Sequence, residues 1–265
     1  MEEYLNKSIK AIINQFPEIA DSLNEYNIGC VPCGVGSCLL KDIVEIHNLL
    51  PEEEQELMAR IAGVIYPDRE VKIPETKRKN EARPKEISYS PPMQKLVNEH
   101  TLIKRWVAMI PRVINNLDVE SEAGRQLVID GIEFIRSYAD KYHHAKEEEV
   151  LFKCFDEGLD IIKTMCEDHE TGRAHVRAML VALDKRDKKA VSEHLQAYQE
   201  LLSEHIKKED EILYPWMDRS FTITRVGELF AKFNEKDEEF GDVPKRCEGF
   251  VNKLEGEINL TEVVK

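Results

Sequence analysis

Six polar residues occupy positions where a helical core ordinarily carries leucine or valine: His100, His143, Glu147, His169, His205 and Glu209. Two of the histidines are each followed four residues later by a glutamate, in His143-x-x-x-Glu147 and His205-x-x-x-Glu209. Residues four apart on a helix lie about 40° apart around the axis and ~6 Å along it. The imidazole can then bind one metal while the carboxylate reaches toward a second. A buried carboxylate is costly unless paired or metal-bound. One buried histidine reads equally well as a hydrogen-bonded core residue, whereas six polar residues spread over four facing helices do not. Four imidazoles and two carboxylates exceed what a tetrahedral zinc takes. They suit two first-row metals with bridging carboxylates and open positions, iron ahead of manganese or zinc. The spacing differs from the Glu-x-x-His pattern of ferritin-like bundles.

An internal repeat selects among neighbouring candidates. HHAKEEEVLF, from His143, aligns without gaps to HIKKEDEILY, from His205. His143 then matches His205 and Glu147 matches Glu209, while His144 falls opposite Ile206 and reads as off the ligand face. Upstream, Glu99-His100 and Asp168-His169 form a second matched pair. The bundle reads as two copies of one unit, a lone-histidine helix followed by a His-x-x-x-Glu helix. Glu148, Glu149, Asp210 and Glu211 are expected on a solvated face, with a role in iron access as the functional alternative. Tyr142 and Tyr198 read as core packing or as support for the ligands. His175, His194 and His47 read as ordinary helix or rim residues. Cys154 and Cys166 are expected to be buried as small apolar groups, and Cys247 carries no further signal.

The elements that must position these residues follow from helical periodicity. One stripe runs Leu96, His100, Ile103, Val107, Ile110, Ile114 and Leu117, and a second runs Val128, Ile132, Ile135, Ala139, His143, Glu147 and Val150. A third has Ile162, Met165, His169, Gly172, Val176, Leu180 and Leu183, and a fourth Val191, Leu195, Tyr198, Leu202, His205, Glu209, Ile212 and Trp216. Short breaks between them require antiparallel neighbours. The predicted fold is all-α: an up-down-up-down four-helix bundle with a di-metal core over 93–218, a small helical cysteine-bearing domain over 1–66, and a C-terminal helical extension over 219–265 broken at Gly-Asp-Val-Pro. Residues 67–92, rich in proline and charge, read as a linker. In the extension, Val226, Leu229, Phe230, Phe233, Phe250 and Leu254 either close the bundle or form a homodimer face.

The two His-x-x-x-Glu segments end in Val-Leu-Phe and Ile-Leu-Tyr-Pro, and each follows a lone-histidine helix. Together they resemble the hemerythrin-like (HHE cation-binding) family over roughly residues 93–217. The resemblance implies a carboxylate-bridged di-iron centre, with an oxo bridge as a further option, that reacts with small diatomic molecules. Oxygen-carrying members use a fifth histidine. Here His175 is about 240° around the helix from His169 and His144 reads as off the face, so the expectation moves away from simple oxygen transport. The segment FPEIADSLNEYNIGCVPCGVGSC is similar to the short cysteine-bearing domain of iron–sulfur repair di-iron proteins. Those carry adjacent cysteines, whereas this chain has Cys30-x-x-Cys33 and Cys38. The three thiols could act as a redox group, or hold an additional metal or iron–sulfur cluster with His47 as a fourth ligand.

Composition narrows the setting. The formal net charge of -14 argues against nucleic acid as a partner. No apolar run spans a membrane and no signal-peptide stretch opens the chain, so a cytoplasmic protein is expected. Three functions remain. The first is a di-iron oxidoreductase acting on nitric oxide, oxygen or peroxide in stress defence or iron–sulfur repair, with the thiols as redox partner and an electron donor or iron–sulfur client protein. The second is an oxygen or nitric oxide sensor or carrier without turnover. The third is a structural or iron-storage site.

Overall fold

The computed structural model describes residues 2–26, 28, 39–47, 49–68, 89–156 and 158–263. Cys30, Cys33 and Cys38 lie outside the described residues, as does most of the expected linker, 69–88. The chain divides into two compact units, residues 1–88 with 211–220, and residues 89–210 with 221–265. Among the described residues there is no strand, and an isolated antiparallel bridge joins Ser8 to Leu39.

The first unit holds α1 (Glu2–Leu5), α2 (Ile9–Gln15), α3 (Ile19–Glu25), α4 (Leu40–Ile46) and α5 (Pro51–Ile65). Helix α5 starts where its sequence dictates: Pro51 opens it, and Glu53 folds back to accept from the Leu50 amide at 2.8 Å. Ile9, Ile12, Ile19, Leu40, Ile43, Leu57 and Ile61 are fully buried and form one apolar core. His47 is held neutral, because burial lowers its pKa to about 4.

The second unit is built on four long helices. Helix α6 spans Pro91–Asn115, and α7 begins at Glu122 and runs in α form to Phe134. Its path then widens into π-helical turns over Ile135–His144 and Glu147–Leu151 and ends at Cys154. Helix α8 is Asp160–Asp184 and α9 is Lys188–Lys208, followed by a π turn that opens at Glu209; α10 (Tyr214–Ser220) is counted with the first unit. The entries to α7 and α9 are capped by their own side chains: Ser121 Oγ accepts from the Gly124 amide, and Asp187 Oδ1 from the Ala190 amide. Each cap is worth about 1 kcal/mol.

The extension forms two helices, α11 (Ile223–Phe240) and α12 (Val243–Val263). They part at Gly241, whose φ of +52° a side chain would disfavour. Val251 and Leu254 join the bundle core, with Phe250 packed beside them against Trp106 and Phe134. The apolar face of α12 thus closes the bundle. Leu180, expected in the core stripe, is instead 37% exposed. No described helix is long and apolar enough to cross a membrane.

Helices α6 and α7 approach closely at one point. A Cβ on Gly131 would lie 2.5 Å from Cη2 of the buried Trp106 ring. Gly131→Ala is therefore expected to destabilise the bundle by about 2 kcal/mol through overpacking, despite alanine's better helix propensity. Chemical denaturation followed by Trp fluorescence measures this; an unchanged or raised midpoint would contradict the close packing.

Candidate metal centre

The four histidines of the repeat meet as two pairs. His100 Nε2, on α6, lies 2.9 Å from His143 Nε2, and His169 Nε2, on α8, lies 3.0 Å from His205 Nε2 on α9. All four side chains are buried. Two imidazoles bound at right angles to one ion, each by a bond of about 2.1 Å, would place their nitrogens about 3.0 Å apart. The carboxylates lie between the pairs. Glu209 Oε2 is 3.2 Å from His100 Nε2, and its Oε1 is 3.1 Å from His205 Nε2. Glu147 Oε2 is 3.4 Å from His169 Nε2 and 3.8 Å from His143 Nε2. Each glutamate therefore reaches one member of both pairs.

Every imidazole is oriented through its other nitrogen. His100 Nδ1 is 2.7 Å from Asp210, His143 Nδ1 is 2.9 Å from Glu99, His169 Nδ1 is 2.7 Å from Glu148, and His205 Nδ1 is 3.3 Å from Asp168. A carboxylate can only accept, so each Nδ1 carries the proton and each Nε2 points a lone pair into the site. These partners obey the internal repeat. The acid before each lone histidine (Glu99, Asp168) holds the histidine of the next helix. The acid after Glu147 and after Glu209 (Glu148, Asp210) holds a lone histidine. Lys146 and Lys208, also matched in the repeat, back up Glu99 and Asp168 respectively.

Glu148 and Asp210 thus do not belong to a solvated face: they fix ligand orientation, and the gap-free alignment that pairs them was the available signal. Glu149 does stay on the surface, beside Lys236. Cys166 is exposed and Cys154 only partly buried, against the expectation that both fill the core.

His144 requires a larger correction. It is buried, and it groups with Glu147, His169 and His205 within ligand-sharing distance; His100, His143 and Glu209 form the other group. Its ring lies flat on that of His169, centroids 3.8 Å apart. Helix α7 faces neighbours on two sides, and adjacent residues on a helix differ by about 100° in direction. His143 can therefore address α6 while His144 addresses α8. The repeat alignment concealed this because the matching position on α9 is Ile206. Both Glu147 and Glu209 open π turns, a distortion that concentrates at functional sites. His175 and His194 pair with each other, Nδ1 to Nδ1 at 3.1 Å, apart from either group.

The electrostatics set the two members of each pair apart, one raised and one lowered. Burial would lower His205, but Glu209 and Asp168 raise it to about 9, while burial and the neighbouring His144 and His205 hold His169 well below the usual range. His100 is likewise raised, its carboxylates outweighing burial, and His143 is depressed by burial and by His100. Burial would raise Glu209, yet His205 and His100 hold it well below the carboxylate range. Burial raises Glu99 to about 6 against the pull of Lys146.

A family model described as the hemerythrin HHE cation-binding domain matches residues 92–217. That stretch contains every side chain of both groups. Residues 92–217 are a hemerythrin HHE cation-binding domain. Neither a curated protein nor a solved structure matches the chain. The hemerythrin domain binds metal ions, and its buried histidines and glutamates are the donor set that fits them. One part of its support comes from outside the matched stretch. Asp237, on α11, accepts from the fully buried Lys146 at 2.6 Å, from Lys95 at 2.7 Å and from the Tyr142 hydroxyl at 2.8 Å. Lys146 also lies 3.5 Å from the Tyr142 ring centroid. The extension is thereby tied to the hemerythrin domain through the residue that holds Glu99.

Two outcomes follow. Asp237→Ala should destabilise the protein by about 2 kcal/mol, because a buried cation loses a charge-assisted partner. Lys236→Ala, which removes exposed pairs, should cost under about 1 kcal/mol. Equal denaturation midpoints for the two variants would refute the distinction. Metal binding at the His169–His205 pair must displace the proton on His205, so protons should be released near neutral pH. His205 is protonated below about 9 in the metal-free protein, so affinity should rise with pH and level off above that value. Dye-monitored proton release in weak buffer checks it, and binding that is independent of pH from 6 to 9 would contradict it.

Proposed function

We propose that the hemerythrin domain holds two iron ions and reacts with small diatomic molecules or peroxide. The observation that supports this reading is the pair of carboxylates, Glu147 and Glu209, each placed between two imidazole pairs whose nitrogens face one another. His100, His143 and Glu209 would hold one ion, and His169, His205, His144 and Glu147 the other, with the glutamates shared. Bound iron would supply Lewis-acid and one-electron chemistry at positions the protein leaves open. The chain's own contribution is orientation: Asp210, Glu99, Glu148 and Asp168 keep the Nε2 lone pairs aimed inward. Under this reading, Cys30, Cys33 and Cys38 serve as redox partner for nitrosative or oxidative stress defence or iron–sulfur repair.

A second reading, reversible binding of oxygen or nitric oxide without turnover, is favoured by His144. It brings the imidazole count to five and makes the two groups unequal, richer in nitrogen on the α8–α9 side. The unequal donor sets would leave the α6 side more open to a small ligand.

Freshly purified protein is expected to contain two iron ions per chain, coupled to each other in its Mössbauer spectrum. One zinc per chain would end the di-iron reading. For the reduced protein under oxygen, a stable and reversible optical band favours binding, and rapid oxidation favours chemistry. His144→Gln should convert the first behaviour to the second if His144 is a ligand, and an unchanged oxidation rate would remove it from that role.

A further inference from the structure

We infer that the bundle carries a binding pocket for a small organic anion with an apolar body, beside the His144, His169 and His205 group. A cavity of about 320 Å³ opens between α7, α8 and α9, and those three imidazoles lie along it. Pockets that hold organic ligands begin at roughly 300 Å³. On the same measure a water-sized ligand needs only about 15 Å³, so the cavity is far larger than a diatomic molecule requires. Its depth is set by burial: the imidazoles of the lining are at most 6% exposed, whereas Leu180, also in the lining, is 37% exposed.

The walls and rim specify the ligand. Ile135, Val176, Leu202 and Tyr198 supply apolar surface. The anionic groups in the lining are already engaged, Asp140 by Arg173 and Asp168 by His205 and Lys208. Of the guanidinium groups in the lining, Arg173 is spent on Asp140 and Glu148, and Arg177 is exposed and paired with Glu170. Arg136 is exposed and makes no ion pair among the described residues. The charge left over at the mouth is positive, so a carboxylate at the rim with its apolar chain inward is the matching occupant.

One residue keeps the space open. Gly172 lies one turn beyond His169 on α8 and lines the cavity. A Cβ there would make ordinary contacts, 3.5 Å to Tyr198 Cε2 and 3.9 Å to Leu201 Cδ2, so alanine fits. A longer side chain would extend into the cavity.

The position of the ligand beside a metal rests on the reading given above; the pocket itself does not. The test uses full-length protein of measured iron content and octanoate as the probe, titrated by calorimetry. Octanoate is expected to bind one molecule per chain, and octanol about tenfold more weakly for lack of the charge. Gly172→Leu should weaken octanoate at least about tenfold, with Gly172→Ala near the parent, and Arg136→Glu should weaken it about fivefold while leaving the fold intact. No octanoate binding, or binding indifferent to both Gly172→Leu and Arg136→Glu, overturns the pocket. Octanoate binding that is equal in iron-loaded and iron-free protein supports the pocket whatever the outcome of the iron measurement.

Discussion

The hydrogen bond from each ligand imidazole to a carboxylate through Nδ1 is the constraint on which the rest of this protein depends. A histidine in a bundle core has two nitrogens, and only one arrangement leaves a lone pair on the nitrogen that faces the site. Asp210, Glu99, Glu148 and Asp168 impose that arrangement four times. Once imposed, it creates two places where lone pairs oppose one another at about 3 Å, and these must hold a proton or a metal ion. The acids are themselves secured by Lys146, Lys208, Lys104 and Arg173. Charge is therefore arranged in concentric layers, alternating in sign outward from the site, which is how so many ionisable groups can be buried together.

This layering also explains why the C-terminal extension is more than a cover. The layer outside Glu99 contains Lys146, which has no access to water. Its charge is balanced by Asp237 from α11, so the extension completes an electrostatic sequence that the four long helices leave unfinished. On the repeat-related side, Lys208 keeps some solvent exposure and needs no such partner. The two halves of the bundle follow one plan near the ligands and diverge with distance from them. The cavity beside the α8–α9 group, which Gly172 lines, lies on that same side.

Much of this was legible in the chain. The helical stripes located four long helices, and a break in the extension was foreseen near Gly241, where the backbone turns at positive φ. The gap-free repeat singled out His143, Glu147, His205 and Glu209, and the lone histidines followed from their place in the stripes. Glu148 and Asp210 were legible as a matched pair but not in their role, because acidic runs on helices usually face water. Leu180 obeyed the core period yet lines a pocket and stays partly exposed, since periodicity gives direction around an axis and says nothing about whether a neighbour fills the space.

By itself, then, the sequence determined which residue types recur at helical spacing, and hence an all-α fold with a metal-binding hemerythrin domain. Only tertiary structure decided how those residues divide into two groups, because that depends on which neighbouring helix each side chain meets. His144 shows the difference most clearly. On a straight helix with a single buried face it would be excluded, but α7 is buried on two sides and winds through π turns at the site. Adjacent histidines can then serve opposite neighbours, an outcome set by packing and beyond the reach of periodicity.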